Sequence, residues 1–316
     1  MFYTSDTLIT AVKSRSLIPS SQATYLSANF LDFANSELQI KIVPDLISIR
    51  EDFFLKKKVV SITASNSRYP IPERAVGNSI KDLFYLDSSG SKYPIPRINI
   101  HDTSSNNASG SSPSNFYLYG DQIVLEPRPS SSSGSIEIWY YERPNQLVLT
   151  AAVAKITAVN TSGSNQVFTV DTDLTGSITN GTTKLDILSG KSPFLTWAID
   201  CVAQSSSSTT ITVTTASVAA EDGTTVLPQV NDYVCLAQQA NIPMIPQELH
   251  PLLAEYVCRT AVQGFGDSEK LAQIDKNIIE MRRQALTIVA NRVENAAETV
   301  VNRRGFNALS GFGWGY

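Results

Sequence analysis

The chain has 316 residues, 42% of them hydrophobic and 17% charged, with a net charge of −4. That length buries a sizeable core in two or three modules, and the charged content falls below the usual quarter or so. No basic block accompanies the acidic balance, which excludes a general nucleic-acid-binding surface, and no apolar run approaches the roughly 20 residues of a bilayer span.

The opening MFYTSDTLITAVKSRS lacks the basic stretch and apolar run of a secretory signal. Ser5 or Asp6 is placed to cap a short helix with Leu8, Ile9 and Val12 on one side, ending before Pro19. Asn29 then starts a longer helix carrying Phe30, Phe33, Ala34, Leu38, Ile42, Leu46, Ile49 and Phe53. Pro44 removes one donor inside it and predicts a kink, or two helices meeting there. Lys56, Lys57 and Lys58 are expected to close the helix, where the macrodipole favours cations. Residues 1–58 are thus the first part of a helical body.

Residues 59–150 read as a β-rich segment. YPIP occurs twice, at 69–72 and 93–96, and each X-Pro step forces extended backbone, so both are rigid corners or edge strands. Residues 73–80 have room for one or two helical turns before a strand at 83–86. Asp87-Ser-Ser-Gly90 is hairpin-turn chemistry. A strand pair at 117–119 and 122–126 surrounds Gly120-Asp121, and 135–142 alternates as a further strand. Two Ser/Gly/Asn-rich stretches, 102–115 and 130–134, read as exposed loops.

Residues 151–240 read as an inserted all-β module. Strand signals fall at 154–159, 167–170, 184–188, 197–203, 209–214 and 233–237, with polar turn clusters between them at the short spacing of a small barrel or sandwich. Residues 241–302 return the chain to helix. Pro246 and Glu248 open a helix with Leu249, Leu252, Leu253, Tyr256, Val257 and Ala261 on one face. Gly264 and Gly266 break it, and Asp267 or Ser268 caps a second helix with a seam of Leu271, Ile274, Ile278, Met281, Ala285 and Ile288. Such a seam needs a partner, and the other strongly helical stretch is the opening. The predicted fold class is therefore α+β, a helical body from both chain ends around a β-rich middle with an inserted small barrel or sandwich.

Residues 303–316 alternate glycine with large apolar groups: Phe306, Leu309, Phe312, Trp314 and Tyr316. Left in water they are an aggregation hazard, so the readings are an arm docking on another protein, a fold back on their own subunit, or a disordered end, with the arm favoured by five large apolar groups in so short a stretch.

Catalytic chemistry finds little support. His250 sits beside Pro251 in a helix-opening turn and reads as a cap or core histidine; His101 borders a loop, a poor scaffold for a preorganised site. Gly266-Asp267-Ser268 superficially matches a hydrolase nucleophile, but without a preceding strand a helix cap is the better account. Cys201, Cys235 and Cys258 have no CxxC spacing and read as buried thiols. No Walker lysine, GxGxxG or metal-ligand spacing occurs. No catalytic, cofactor or metal site is expected, and the protein reads as a soluble, non-enzymatic assembly component.

Three segments in this order, TLITAVKSRSLIPSSQATYLSANFLDFANSELQIKIVPDLISIREDFF, YPIPERAVGNSIKDLFYLD and NIPMIPQELHPLLAEYVCRTAVQGFGDSEKL, carry a family likeness. The chain resembles the head-to-tail connector (adaptor, or neck) proteins of tailed bacteriophages, including the tail-tubular adaptors of podovirus-like phages. The likeness covers both ends and the first β part, and leaves out the inserted module. It implies a virion neck component, assembled in the host cytoplasm, in a homo-oligomeric ring of twelve copies clamped beneath the portal protein. The β parts would face the tail or other neck proteins, and genomic DNA would pass through the lumen without sequence-specific binding or any membrane contact. The resemblance also implies portal-contacting groups in the tail: Arg303, Arg304, Phe306, Leu309, Phe312, Trp314 and Tyr316. The rival reading is a receptor- or glycan-binding tail component using the inserted module, with Trp197, Tyr233 and its Ser/Thr-rich turns.

Overall fold

A threonine sets the first helix. Thr4, in extended conformation, caps α1 (Ser5–Ser16) by accepting from the amide of Thr7, whose hydroxyl accepts in turn from the amide of Thr4. The cap therefore lies one residue before the predicted Ser5. In the computed structural model, which describes residues 3–18, 25–102, 109–110, 112–192, 194, 196–219 and 227–290, α1 buries Leu8, Ile9 and Val12 as its spacing requires.

The second helix runs as α2 (Ser27–Glu37), a π turn (Leu38–Ile42) and α3 (Val43–Ile49). Pro44 explains the π turn. It has no amide to donate to the carbonyl of Ile40, and its ring would strike that carbonyl in a regular α-helix. Widening the preceding turn, so that the amide of Val43 bonds the carbonyl of Leu38, lets the helix continue. The disturbance predicted at Pro44 is thus absorbed one turn earlier, without a split. The helix ends at Ile49, short of Phe53. Lys56, Lys57 and Lys58 do not close it; they lie on a strand, because 55–61 pairs along its whole length with 135–141.

The β segment follows as β1 (Leu55–Ser61), β2 (Arg68–Pro70), β3 (Ala75–Leu86), β4 (Lys92–Pro94), β5 (Ser109–Gly110), β6 (Asn115–Tyr119), β7 (Gln122–Glu126), β8 (Arg128–Pro129), β9 (Ser135–Glu142) and β10 (Gln146–Leu147). One sheet has the order β1-β9-β3-β4 and another β2-β7-β6. Leu83, Ile123, Leu125, Ile136, Ile138 and Tyr140 form a core common to both. Both YPIP copies lie on edges, in β2 and β4, where a missing amide costs no ladder bond. The helical turns expected at 73–80 do not form. Gly77 and Asn78 take positive φ (58° and 54°), which a helix excludes, and the chain runs as the irregular start of β3 against β9.

The inserted module is a closed barrel. Its strands are β11 (Ala154–Ser162), β12 (Asn165–Val170), β13 (Lys184–Leu188), β14 (Thr196–Ser206), β15 (Thr210–Thr214) and β16 (Tyr233–Leu236), in the order β11-β12-β15-β14-β13-β16. Alternate residues such as Ile156, Phe168, Ile187, Ala198, Ile211, Val213 and Val234 fill its interior. All six predicted strand positions fall on these strands. β17 (Gln239–Ala240) then pairs in parallel with β10, so the chain enters and leaves the barrel side by side.

A 3-10 turn (Gln247–Leu249) leads into α4 (His250–Gln263), which is buried on most sides by Leu252, Leu253, Ala254, Tyr256, Val257, Cys258, Ala261 and Val262. Gly264 ends it, and a Cβ there would come within 1.9 Å of the Tyr25 hydroxyl. Asp267 caps α5 (Ser268–Val289) by accepting from the amide of Lys270. Ile274, Ile278 and Ala285 are buried and Met281 packs against the same core. Ile288, the last seam position predicted, is 56% exposed, and Val289 takes its place. A straight helix of 3.6 residues per turn drifts away from a 3.5 repeat, and here the drift has reached one residue. The core of this body joins residues from α1, α2, α3, α4 and α5, so the two chain ends do fold together, and the architecture is α+β.

Candidate assembly surface and the joint behind it

The surface of an assembly component is only as well placed as the framework behind it. In the helical body that framework is a set of polar ties between the chain ends. His250 is fully buried, with Nδ1 accepting from the amide of Tyr3 at 2.9 Å and Nε2 at 3.3 Å from the carbonyl of Ile245. Burial pushes its pKa down to about 4, so the ring is neutral and the proton sits on Nε2. This is a core histidine joining the opening segment to the linker before α4. Arg15 bonds Glu255 (2.9 Å) and the carbonyl of Pro251. Arg282 of α5 forks onto Asp45 of α3 at 2.6 and 2.7 Å. Asn35 of α2 clamps β10 with both ends of its amide, donating to the carbonyl of Leu147 (3.1 Å) and accepting from its amide (2.7 Å).

A second set of ties joins the β segment to the barrel. Arg74, 4% exposed, forks onto Asp186 of β13 at 2.8 and 2.9 Å and reaches Asp200 of β14 at 2.9 Å. Asp186 is fully buried and also accepts from the amides of Asp200 and Gln238 and from the side chain of Asn145. Burial opposes the charge on Arg74, but the two carboxylates outweigh it and hold the guanidinium above its ordinary pKa. The joint therefore stays charged and paired, with Asn145 holding the carbonyl of Gln239 as well (3.1 Å). The sequence reading missed this joint. The sequence carries no signal for it, because alternation in KLDIL puts Asp186 on the solvent face with Lys184, whereas the structure buries Asp186 and leaves Lys184 exposed.

The body carries exposed apolar groups on the outside. Leu26 is exposed at the start of α2, and Leu17 and Phe265 meet near the ends of α1 and α4, where an open cleft of about 200 Å³ is lined by Leu17, Ile18, Val262 and Phe265 with Asp267 and Lys270. Ile40 projects from the π turn, and Ile279 and Ile288 from opposite flanks of the α5 seam. Scattered apolar residues are ordinary on a surface. Several of them on one helical body make its outer surface the candidate contact surface. The predicted portal-contacting residues, Arg303, Arg304, Phe306, Leu309, Phe312, Trp314 and Tyr316, lie outside the described residues.

The residues weighed for chemistry are dispersed. His101 is exposed on a 3-10 turn (Ile100–Asp102), far in function from the buried His250, and Ser268 is the first residue of α5 behind its Asp267 cap. The three cysteines are free and buried, and burial raises each thiol, to about 12 for Cys201 and about 11 for Cys258. Among the described residues, no three His, Cys, Asp or Glu side chains converge to hold a metal ion, and no helix is long and apolar enough to cross a membrane.

Residues 3–174, more than half of the chain, match the family model described as SU10 adaptor protein. The chain belongs to that family, one of phage head-to-tail adaptors. No curated protein matches it in a sequence search. The matched span takes the adaptor from α1 through the β segment to the first two barrel strands, and stops at Leu174. It thus reaches into the barrel, which the resemblance drawn from sequence had left out, and ends before α4 and α5. The adaptor's framework of α1–α3 and the sheets lies wholly inside the match.

Proposed function

We propose that this adaptor is a structural, non-catalytic component of a tailed-phage neck, forming a ring beneath the portal that joins capsid to tail and lets DNA pass through its lumen. The observation that carries this is the helical body within a chain of the adaptor family, packed around a common core and bearing several exposed apolar groups on its surface. Head-to-tail contacts between identical copies close into a ring when the rotation between them allows it. The resemblance to neck connectors adds twelve copies, with the portal above and tail or neck proteins below. Net charge of −4 suits a lumen that duplex DNA slides past without sticking.

The segment 303–316 is proposed as the portal-docking arm, with Arg303, Arg304, Phe306, Leu309, Phe312, Trp314 and Tyr316 as its contacts. An apolar arm that orders only on docking pays its ordering entropy at that step, so attachment awaits a completed portal. Deleting 303–316 should leave the thermal transition of the protein unchanged and abolish its attachment to portal-bearing capsids in a sedimentation assay. Normal attachment of the truncated chain would refute the arm. The rival reading, a receptor- or glycan-binding tail component, would have to use the outer surface of the barrel and the partly exposed Trp197, because side chains fill the barrel's interior.

A further inference from the structure

The two larger sheets of the β segment end in four edge strands, β1 and β4 in one and β2 and β6 in the other. Unpaired edges invite pairing with other chains, and proteins deter it with lysine and proline. Three of these edges carry such residues: Lys56, Lys57 and Lys58 on β1, Pro70 and Pro72 at β2, Pro94 and Pro96 at β4. β6 reads Asn-Phe-Tyr-Leu-Tyr and carries neither.

The hydrogen bonds along β6 locate the opening. Phe116 uses its outward groups within the chain, its amide donating to the carbonyl of Pro96 (3.1 Å) and its carbonyl accepting from the amide of Ile98 (2.8 Å). Antiparallel ladders alternate inward and outward pairs, so Tyr117 and Tyr119 face β7 and the next outward residue is Leu118. By then the neighbouring chain has turned away into the 3-10 turn at Ile100. It leaves an open cavity of about 390 Å³, lined by Arg97, Ile98, Asn99, Ile100, Tyr117 and Leu118. Among the described residues, the amide and carbonyl of Leu118 have no partner on this side. Arg97 is the charged member of the lining, is exposed and forms no ion pair with a described residue. Arg68 adds a second guanidinium 5.7 Å from the centre of the Tyr119 ring.

We propose that the β6 edge, open at Leu118, takes up the end of an extended segment of another protein, with an acidic side chain of that segment paired to Arg97. Main-chain bonds to Leu118 supply the attachment and the guanidinium selects the sequence. Partner and position along β6 are thereby specified independently of how copies of the adaptor contact one another.

The test is calorimetric titration of the full chain with the blocked peptide Thr-Val-Glu-Val-Thr-Val, its lysine-for-glutamate counterpart, and a version N-methylated at alternate amides. The acidic peptide should bind about tenfold or more tighter than the lysine peptide, and N-methylation should abolish binding. Amide exchange at Leu118 should slow on binding. Arg97→Glu should exchange the preference between the two peptides. Leu118→Pro should abolish binding while sparing the β7 ladder, because its amide points outward; a melt followed by circular dichroism checks the fold. Should that variant not fold, Arg97→Glu and the exchange rate decide. Equal binding of acidic and lysine peptides, undiminished binding to Arg97→Glu, or no binding up to about 1 mM peptide overturns the proposal. So does self-association through β6 without peptide, which would make a second copy the occupant.

Discussion

At the scale of single residues, the most consequential side chain is Arg74. Its guanidinium fork on Asp186 is nearly shut off from water, and a buried pair has little net value as long as both members are present. Removing one member is different, because the other is left charged in a dry site. Arg74→Ala should therefore cost about 3–5 kcal/mol in urea unfolding. Lys184→Ala, which removes a solvent-exposed partner of Asp200 in the same neighbourhood (3.8 Å), should cost under about 1 kcal/mol. Similar losses for the two variants would deny the joint its buried character. In the sequence Asp186 alternates with Lys184 as a solvent-facing charge would, its partner lies 112 residues away, and nothing local in YPIPERAVG marks Arg74 as the counterion.

Elements were legible where chain chemistry is local. The twin YPIP steps could only be extended, and the alternation in KLDIL, TITVT and IEIWYYE could only suit strands, so edges and barrel strands fall where the sequence places them. Helix ends were read less well, since partners decide them. The three lysines after α3 carry good helical propensity, yet pairing with β9 draws them into a strand. Residues 73–80 look helical until Gly77 and Asn78 are seen at positive φ. Pro44 announced a disturbance, but the sequence could not say that it would become a π turn. Within the helical body, α4 and α5 have opposite sensitivities. Leu253→Ala in the buried α4 should cost about 2–5 kcal/mol by chemical denaturation. Ile279→Ala, at a position 70% exposed on α5, should change stability by less than about 0.5 kcal/mol while lowering the share of oligomer seen by native mass spectrometry. An unchanged oligomer share would remove α5 from the contact surface.

For the whole molecule, the parallel pair of β10 and β17 makes the barrel an insertion whose two ends meet, Leu147 beside Ala240. Replacing residues 150–237 with a short Gly/Ser linker should keep the helical circular dichroism signal and a cooperative melt, because the core of the helical body draws no residue from the barrel strands. Loss of the helical signal would mean that barrel and body fold as one unit. The barrel itself could be foreseen from strand spacing, and the helical body from its two amphipathic ends. The residues proposed to meet the portal lie outside the described part of the chain.

The clamp of Asn35 on β10 has a mechanical consequence. Because the two strands run parallel, the barrel joins the C-terminal end of β10 and the N-terminal end of β17, so tension on the barrel loads them in opposite directions and shears the pair. The load passes to α2 through the two opposed amide bonds at Leu147 and to the sheets through the Arg74 fork, which must slide apart at once rather than peel in sequence. A pull on the barrel is thus shared between the helices and the sheets rather than borne by either alone.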